Sequence, residues 1–254
     1  MTENQAYAIS KYPDVEDVYR RLNALVAQPI RPVRREKMEE YLGYFQTRCA
    51  RSKALTDEAK KLIPGGVQHN LAFNYPFPIA IEKVDGAHLW DVDGNRYIDF
   101  LQAGGPTILG SNYEPVRAKV IEMLQSCGPV TGLFHEYELK LAQLIQRLMP
   151  NIEMFRMLGS GTEGVMAAIR AARAFTKKKK VIKVGGAYHG WSDSMVYGLH
   201  IPGTGRLEAM GIPGGATANT QEFFPNALGA LKRQLILNRV LGGTAAVIVE
   251  PVGP

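Results

Sequence analysis

A glycine-rich hexapeptide carries the clearest chemical signal in this sequence of 254 residues. Residues 159–164 read Gly-Ser-Gly-Thr-Glu-Gly, between a strand-like run at 154–158 and apolar residues at helical spacing. A turn from a strand into a helix offers free backbone N–H groups and the positive end of the helix dipole to an anion. With the hydroxyls of Ser160 and Thr162, it predicts a phosphate site. A helix that one of these hydroxyls only caps would show the same pattern.

The hexapeptide also matches G-x-G-x-x-G, the pattern of dinucleotide-binding turns. Such a site needs an acid about 20 residues later, at the end of the next strand, to hold the ribose hydroxyls. No Asp or Glu occurs between Glu163 and Asp193. The sequence therefore disfavours a nicotinamide- or flavin-dependent dehydrogenase, and it has no G-x-x-x-x-G-K-[ST] to indicate a P-loop hydrolase.

Three rings follow the next strand-like run, at 180–184: Tyr188, His189 and Trp191. The carboxyl ends of parallel strands are where open α/β sheets bind ligands. Such a group by itself is more often part of a core. Beside a phosphate-binding turn on a neighbouring strand, it predicts a phosphorylated aromatic cofactor.

The elements that would position these residues follow from hydrophobic spacing. From residue 113 onward, helical and strand-like patterns alternate, with strand-like runs at 154–158, 180–184 and 245–249. This alternation predicts an α/β fold with a mostly parallel sheet and flanking helices. Upstream, an Asp-Gly-Asn turn between two β-prone runs predicts a hairpin at 87–100. The first 61 residues or so read as helices broken by Pro29 and Pro32.

Charge and composition exclude several classes of protein. Thirty Lys and Arg against 24 Asp and Glu give a net charge of +6, and the stretch 165–184 holds seven bases and no acid. Only Phe175 interrupts it as an aromatic, so a solvated turn at a helix end is favoured over a nucleic-acid surface. No apolar run approaches the roughly 18 residues of a membrane span, and no leader pattern is present. We expect a cytoplasmic protein without nucleic-acid or membrane partners.

Metal sites are also disfavoured. Cys49 and Cys127 have no CxxC or histidine at ligand spacing, so we expect two reduced thiols in the core rather than a disulfide or zinc. The turn at 91–95 has oxygen side chains where a calcium loop has them. Arg96 and Gln102 then stand where that loop requires Gly and Glu, which argues against calcium.

Six motifs, taken in order, resemble those of the class III aminotransferases, in the branch of glutamate-1-semialdehyde aminomutase. The resemblance covers residues 55–254. The motifs are Pro-Gly-Gly-Val at 64–67, Asp-Val-Asp-Gly-Asn-Arg-Tyr-Ile-Asp-Phe at 91–100, Gly-Pro-Thr-Ile-Leu-Gly at 105–110, Gly-Ser-Gly-Thr-Glu at 159–163, Ala-Tyr-His-Gly at 187–190 and Val-Glu-Pro-Val at 249–252.

The resemblance implies pyridoxal 5′-phosphate (PLP) as cofactor, the fold type I of aspartate aminotransferase, and a homodimer with active sites at the subunit interface. It implies that Tyr188 stacks on the pyridine ring and that Glu250 lies near the cofactor, with His189 included among the cofactor contacts. The residues that the resemblance assigns to the cofactor phosphate are Ser160, Gly161 and Thr162.

The same resemblance divides the chain into three parts. They are a helical extension at 1–55, the first part of a small α+β domain with the hairpin at 56–111, and the first, incomplete part of the large PLP-binding domain at 112–254. It implies transfer of an amino group between an amino acid or amine and a keto acid. The alternative is the aminomutase reaction, which the motif at 105–110 favours, whereas Trp191 and the stretch 74–79 look more like transaminating relatives.

One departure from the family concerns catalysis. In the family, the Asp that pairs with the pyridine nitrogen and the Lys that forms the Schiff base follow the Val-Glu-Pro motif, and this sequence ends at Pro254 before either. Lys183 lies ahead of the Tyr-His-Gly motif and does not match that lysine. We therefore expect no turnover by these 254 residues alone, and the catalytic residues stay unassigned. A non-catalytic fragment or pseudoenzyme that binds a phosphate compound or a partner is the other hypothesis.

Overall fold

The structure, a computed structural model, describes residues 14–129, 132–196, 198 and 210–250. The chain forms two compact units, Met1–Leu133 and Phe134–Pro254. These two units do not test the three domains predicted from the family resemblance, which stay a prediction. No helix among the described residues combines the length and the apolar character needed to cross a bilayer.

The described part of the first unit begins with three helices: α1 (Val15–Val26), α2 (Arg35–Arg48) and α3 (Ala50–Ala59). The Asp14 carboxylate caps α1 by accepting the N–H of Glu16 at 3.0 Å. The stretch with Pro29 and Pro32 separates α1 from α2, as the sequence predicts, because proline removes a helical N–H donor. A further helix, α4 (Glu114–Ser126), ends the unit.

A three-stranded antiparallel sheet lies between α3 and α4 in the sequence, with β1 (Ile81–Asp85), β2 (His88–Asp91) and β3 (Arg96–Ile98) in that order. Strands β2 and β3 pair from His88 with Ile98 to Trp90 with Arg96, which confirms the predicted hairpin. Strand β1 pairs with β2 on the other side, from Ile81 with Asp91 to Asp85 with His88.

A buried carboxylate organises the hairpin turn. Asp91 is fully buried, and its oxygens accept the N–H of Asp93 at 3.0 Å, the N–H and side-chain amide of Asn95 at 2.8 Å each, and the Tyr97 hydroxyl at 2.7 Å. Burial would raise the pKa of Asp91, but hydrogen bonds from Asn95 and Tyr97 outweigh it and hold that pKa below its usual value. The calcium-like spacing thus folds a turn, and its first carboxylate is occupied by hydrogen-bond donors.

The same turn caps helix α3. The Asp93 carboxylate accepts the N–H groups of Arg51 at 2.7 Å and Ser52 at 2.9 Å, which are first-turn donors without an intrahelical acceptor. The side-chain amide of Asn95 donates to the carbonyl of Arg48 at 2.7 Å, at the end of α2. The turn therefore holds both helices at their junction.

The two cysteines differ in burial, and one prediction about them is wrong. Cys49 lies at the α2–α3 junction, fully buried, with its sulfur 3.5 Å from the Tyr97 hydroxyl. Burial raises the pKa of this thiol. Cys127 is exposed and not in the core, because it follows the last residue of α4.

The second unit contains a parallel sheet of β4 (Lys180–Val184), β5 (Thr220–Phe223) and β6 (Thr244–Ile248), in the order β5-β4-β6. The helices in its described residues are α5 (Glu136–Leu148), α6 (Gly161–Thr176), the short α7 (Gly214–Thr217) and α8 (Leu228–Asn238). Helix α6 packs on the sheet through a core of Ile169, Val181 and Met195. The predicted α/β fold with a mostly parallel sheet and flanking helices is confirmed.

One predicted strand is wrong. Residues 154–158 run ahead of α6 without forming a strand, and the side chains of Met154 and Met157 are exposed. An apolar run becomes a strand only where a partner is available, and no described strand pairs with this one.

We predict that Asp91→Asn lowers the free energy of unfolding by about 2–4 kcal/mol, because an amide NH2 would face donors that now bind a carboxylate oxygen. Urea unfolding followed by far-UV circular dichroism measures this change. Asp99→Asn is the matched control, since one oxygen of Asp99 accepts both of its backbone N–H groups, from Leu101 and Gln102, and an amide keeps that oxygen. Equal stability of the two variants would contradict the role given to Asp91.

Candidate functional site

The first turn of α6 is the predicted phosphate site. Ser160 is its N-cap: the hydroxyl oxygen accepts the N–H of Glu163 at 3.2 Å and the hydroxyl donates to the Glu163 carboxylate at 3.1 Å. The first intrahelical bond runs from Gly164 to the Ser160 carbonyl. The N–H groups of Gly161 and Thr162 therefore precede the helical ladder and point out of the helix end.

The hydroxyl of Thr162 connects this turn to the aromatic motif. Its oxygen accepts the N–H of Trp191 at 3.2 Å, so its own O–H is left to donate elsewhere. Gly190 lies directly against the same residue, because a Cβ on Gly190 would stand 2.8 Å from the Thr162 Cα. Gly190 also has a φ of +94°, which disfavours other residues. The structure thus brings together the two motifs that the sequence predicted to be neighbours.

The rings of the motif differ in exposure. Tyr188 is 57% exposed, so one face of its ring is available to a ligand, and Trp191 is exposed as well. His189 is 7% exposed, and its Nε2 has no hydrogen-bond partner within the described part of the chain. In folded proteins, a buried imidazole nitrogen usually has a hydrogen-bond partner.

Burial lowers the pKa of His189, and the charge of Lys183 lowers it further, while Glu250 opposes both. The imidazole is therefore neutral near pH 7. Glu250 follows the end of β6 and is half-buried. Because β4 and β6 are parallel, their carboxyl ends meet at one edge of the sheet, which places Glu250 on the side of His189.

These groups fit a phosphorylated aromatic compound. Two outward N–H groups, one hydroxyl and the positive end of a 16-residue helix suit a phosphate dianion. The exposed ring of Tyr188 suits stacking, and the orphaned Nε2 of His189 suits a polar atom of the same ligand. No three His, Cys, Asp or Glu side chains lie together to hold a metal ion in the ranges that the structure describes.

Two features were missed by the sequence analysis. The approach of Gly190 to Thr162 joins residues 28 positions apart, and only the glycine that ends the motif hinted at it. Lys183 was considered only as a candidate Schiff-base residue, yet it is fully buried beside His189. A lysine between the apolar residues Ile182 and Val184 of β4 was the available signal. Pro251 and Val252, the end of the last motif, lie outside the described residues.

Comparison with known proteins adds independent information. The glutamate-1-semialdehyde 2,1-aminomutase 1 of Lachnoclostridium phytofermentans is 42% identical over 207 residues, which are 80% of this chain and 48% of that protein. The chain thus spans about half the length of the curated relatives it matches.

Solved transaminases share the fold. A β-phenylalanine aminotransferase from Variovorax paradoxus superposes with a TM-score of 0.72 and 28% identity, over 86% of this chain and 47% of that one. A structure described as a transaminase with PLP bound gives 0.70 and 31%, over 81% of this chain and 48% of that one. The model of the family "Aminotransferase class-III" matches residues 71–253, and the chain therefore belongs to the class III aminotransferases.

Proposed function

We propose that the protein containing this chain is a PLP-dependent aminotransferase, which moves an amino group between an amino acid or amine and a keto acid. The contact between Thr162 and Gly190 carries the proposal, because it sets a phosphate-binding helix end beside an aromatic motif. Family membership supports it, and one of the solved transaminases is described with PLP bound.

The residues of this chain have separate roles in the proposal. The N–H groups of Gly161 and Thr162, with the Thr162 hydroxyl, bind the phosphate, and Ser160 holds that turn in shape. Tyr188 stacks on the pyridine ring, while His189 and Glu250 line the edge of the sheet beside it. When bound, PLP supplies an electron-withdrawing ring that makes the proton on the substrate carbon removable.

Two further proposals rest on the family resemblance. These 254 residues hold no lysine at the position of the Schiff-base lysine, so we propose that they bind the cofactor but do not turn over by themselves.

The complete protein is proposed to act in the cytoplasm as a homodimer. Light scattering of the complete protein should give twice the mass of one subunit, and the mass of a single subunit would contradict the dimer.

The aminomutase reaction is the second candidate, since the L. phytofermentans relative is named for it. The test supplies glutamate 1-semialdehyde to the complete protein with and without a keto acid, and to the 254-residue chain in parallel. We expect product only from the complete protein and only with the keto acid, because a transaminase needs an acceptor. Product without an acceptor would establish the mutase, and product from the 254-residue chain would contradict its inactivity.

We predict that Gly190→Ala weakens the binding of pyridoxine 5′-phosphate by about tenfold, or about 1.4 kcal/mol. The new Cβ would push the aromatic motif away from the first turn of α6, since it would also stand 2.9 Å from the Thr162 hydroxyl. This ligand has no aldehyde to react with surface lysines. Quenching of tryptophan fluorescence measures its affinity for the 254-residue chain.

Gly211→Ala is the matched control for this prediction. Gly211 has a similar φ of +82°, but a Cβ there would have no neighbour within 4 Å. Both variants carry the cost of a left-handed alanine, about 1–2 kcal/mol in stability, and only one collides with the site. If Gly190→Ala and Gly211→Ala bind the ligand equally well, the contact between Gly190 and Thr162 does not shape the site.

A further inference from the structure

Strand β4 carries a fully buried lysine in its interior. The Nζ of Lys183 donates to the carbonyl oxygen of Met195 at 3.0 Å. Alternation along the strand puts Lys183 on the same face as Val181, which packs against α6. Burying an amine is costly, and a position that needed only packing would take valine or isoleucine. Lys183 therefore calls for a reason beyond packing.

The carbonyl that Lys183 binds belongs to a turn that follows the aromatic motif directly. The N–H groups of Met195 and Val196 both donate to the carbonyl of Ser192, at 2.8 and 2.9 Å. Met195 is itself fully buried in the core beneath α6. The motif at 187–191 thus lies between the end of β4 and a turn that Lys183 holds to the same strand.

Charged groups surround the motif from three strands. Lys183 on β4 and Glu250 after β6 both act on His189, in opposite directions. Glu222 on β5 is the register neighbour of Lys183, so the two side chains lie on one face of the sheet. The Glu222 carboxylate abuts Gly198, whose carbonyl accepts the N–H of Gly186 at 2.8 Å. Lys183 thus lies next to Glu222 in the sheet and close to His189 of the aromatic motif.

We propose that Lys183 is a positioning residue for the cofactor site: by holding the Met195 carbonyl it fixes the Ser192–Val196 turn, and with it Tyr188, His189 and the Trp191 N–H that braces Thr162. In this arrangement the fully buried Lys183 acts through the Met195 carbonyl. The consequence for binding rests on the proposed function. The geometry around His189 does not depend on that function and can be tested without a ligand.

The experiment compares three variants of the 254-residue chain: Lys183→Met, Lys183→Gln and the control Lys180→Met. Lys180 begins the same strand and is half-buried, and nothing assigns it to the site. Two measurements are made on each folded variant. One is the affinity for pyridoxine 5′-phosphate, and the other is the NMR titration of His189 without ligand, assigned with His189→Gln.

We expect Lys183→Met to bind pyridoxine 5′-phosphate at least fivefold more weakly, which is about 1 kcal/mol. The pKa of His189 should rise toward its usual value, because the nearby positive charge is gone. Lys183→Gln keeps a shorter donor without the charge, so its affinity should fall less while the pKa of His189 rises equally. Lys180→Met should change neither quantity.

The two measurements separate the inference from the proposed function. A wild-type chain that does not bind pyridoxine 5′-phosphate would refute the cofactor site, while the titration of His189 would still report on Lys183. Folded Lys183→Met with wild-type affinity for pyridoxine 5′-phosphate would overturn the positioning role whatever the pKa of His189, because loss of the charge alone raises that pKa. A loss of stability with both readouts unchanged would show that Lys183 only supports the core.

Discussion

The site depends on the close approach of two backbone segments. The first turn of α6 offers donors to an anion, and the end of the aromatic motif offers a ring, but neither is a site alone. They form one candidate site because Gly190 has no Cβ and lies against Thr162, while Thr162 accepts the N–H of Trp191. The remaining parts of the second unit maintain this approach. Helix α6 packs through Ile169 on Val181 of β4. Strand β4 ends at Val184, shortly before the aromatic motif at 187–191.

Each unit fixes a functional or structural turn with a buried ionisable group. In the first unit, the carboxylate of Asp91 collects four donors and shapes the hairpin turn. In the second, the amine of Lys183 holds the Met195 carbonyl. A buried charge is costly, so it persists only where hydrogen-bond partners satisfy it. Each group consequently specifies one turn geometry where apolar residues would allow several.

Local pattern predicted the elements well and tertiary contacts poorly. The start of α6 and the hairpin at Asp91 were predicted because capping residues and turn residues act within a few positions. The strand predicted at 154–158 was wrong because the sequence of a segment does not show whether another strand pairs with it. The prediction that Cys127 lies in the core was wrong because composition does not distinguish a thiol at a helix end from one in the core. The assigned cofactor contacts stay predictions, and the closeness of Gly190 to Thr162 could come only from the folded structure.

The cap on α3 links regions far apart in the chain. The acceptor for the first N–H groups of α3 is Asp93, which follows Arg51 by 42 positions. A helix of ten residues is marginal in water without such help. Helix α3 therefore gains its full stability only once the hairpin has formed, and the two open together. We therefore expect the end of α2, helix α3 and the hairpin to unfold together, although Asp93 and Arg51 lie far apart in the sequence.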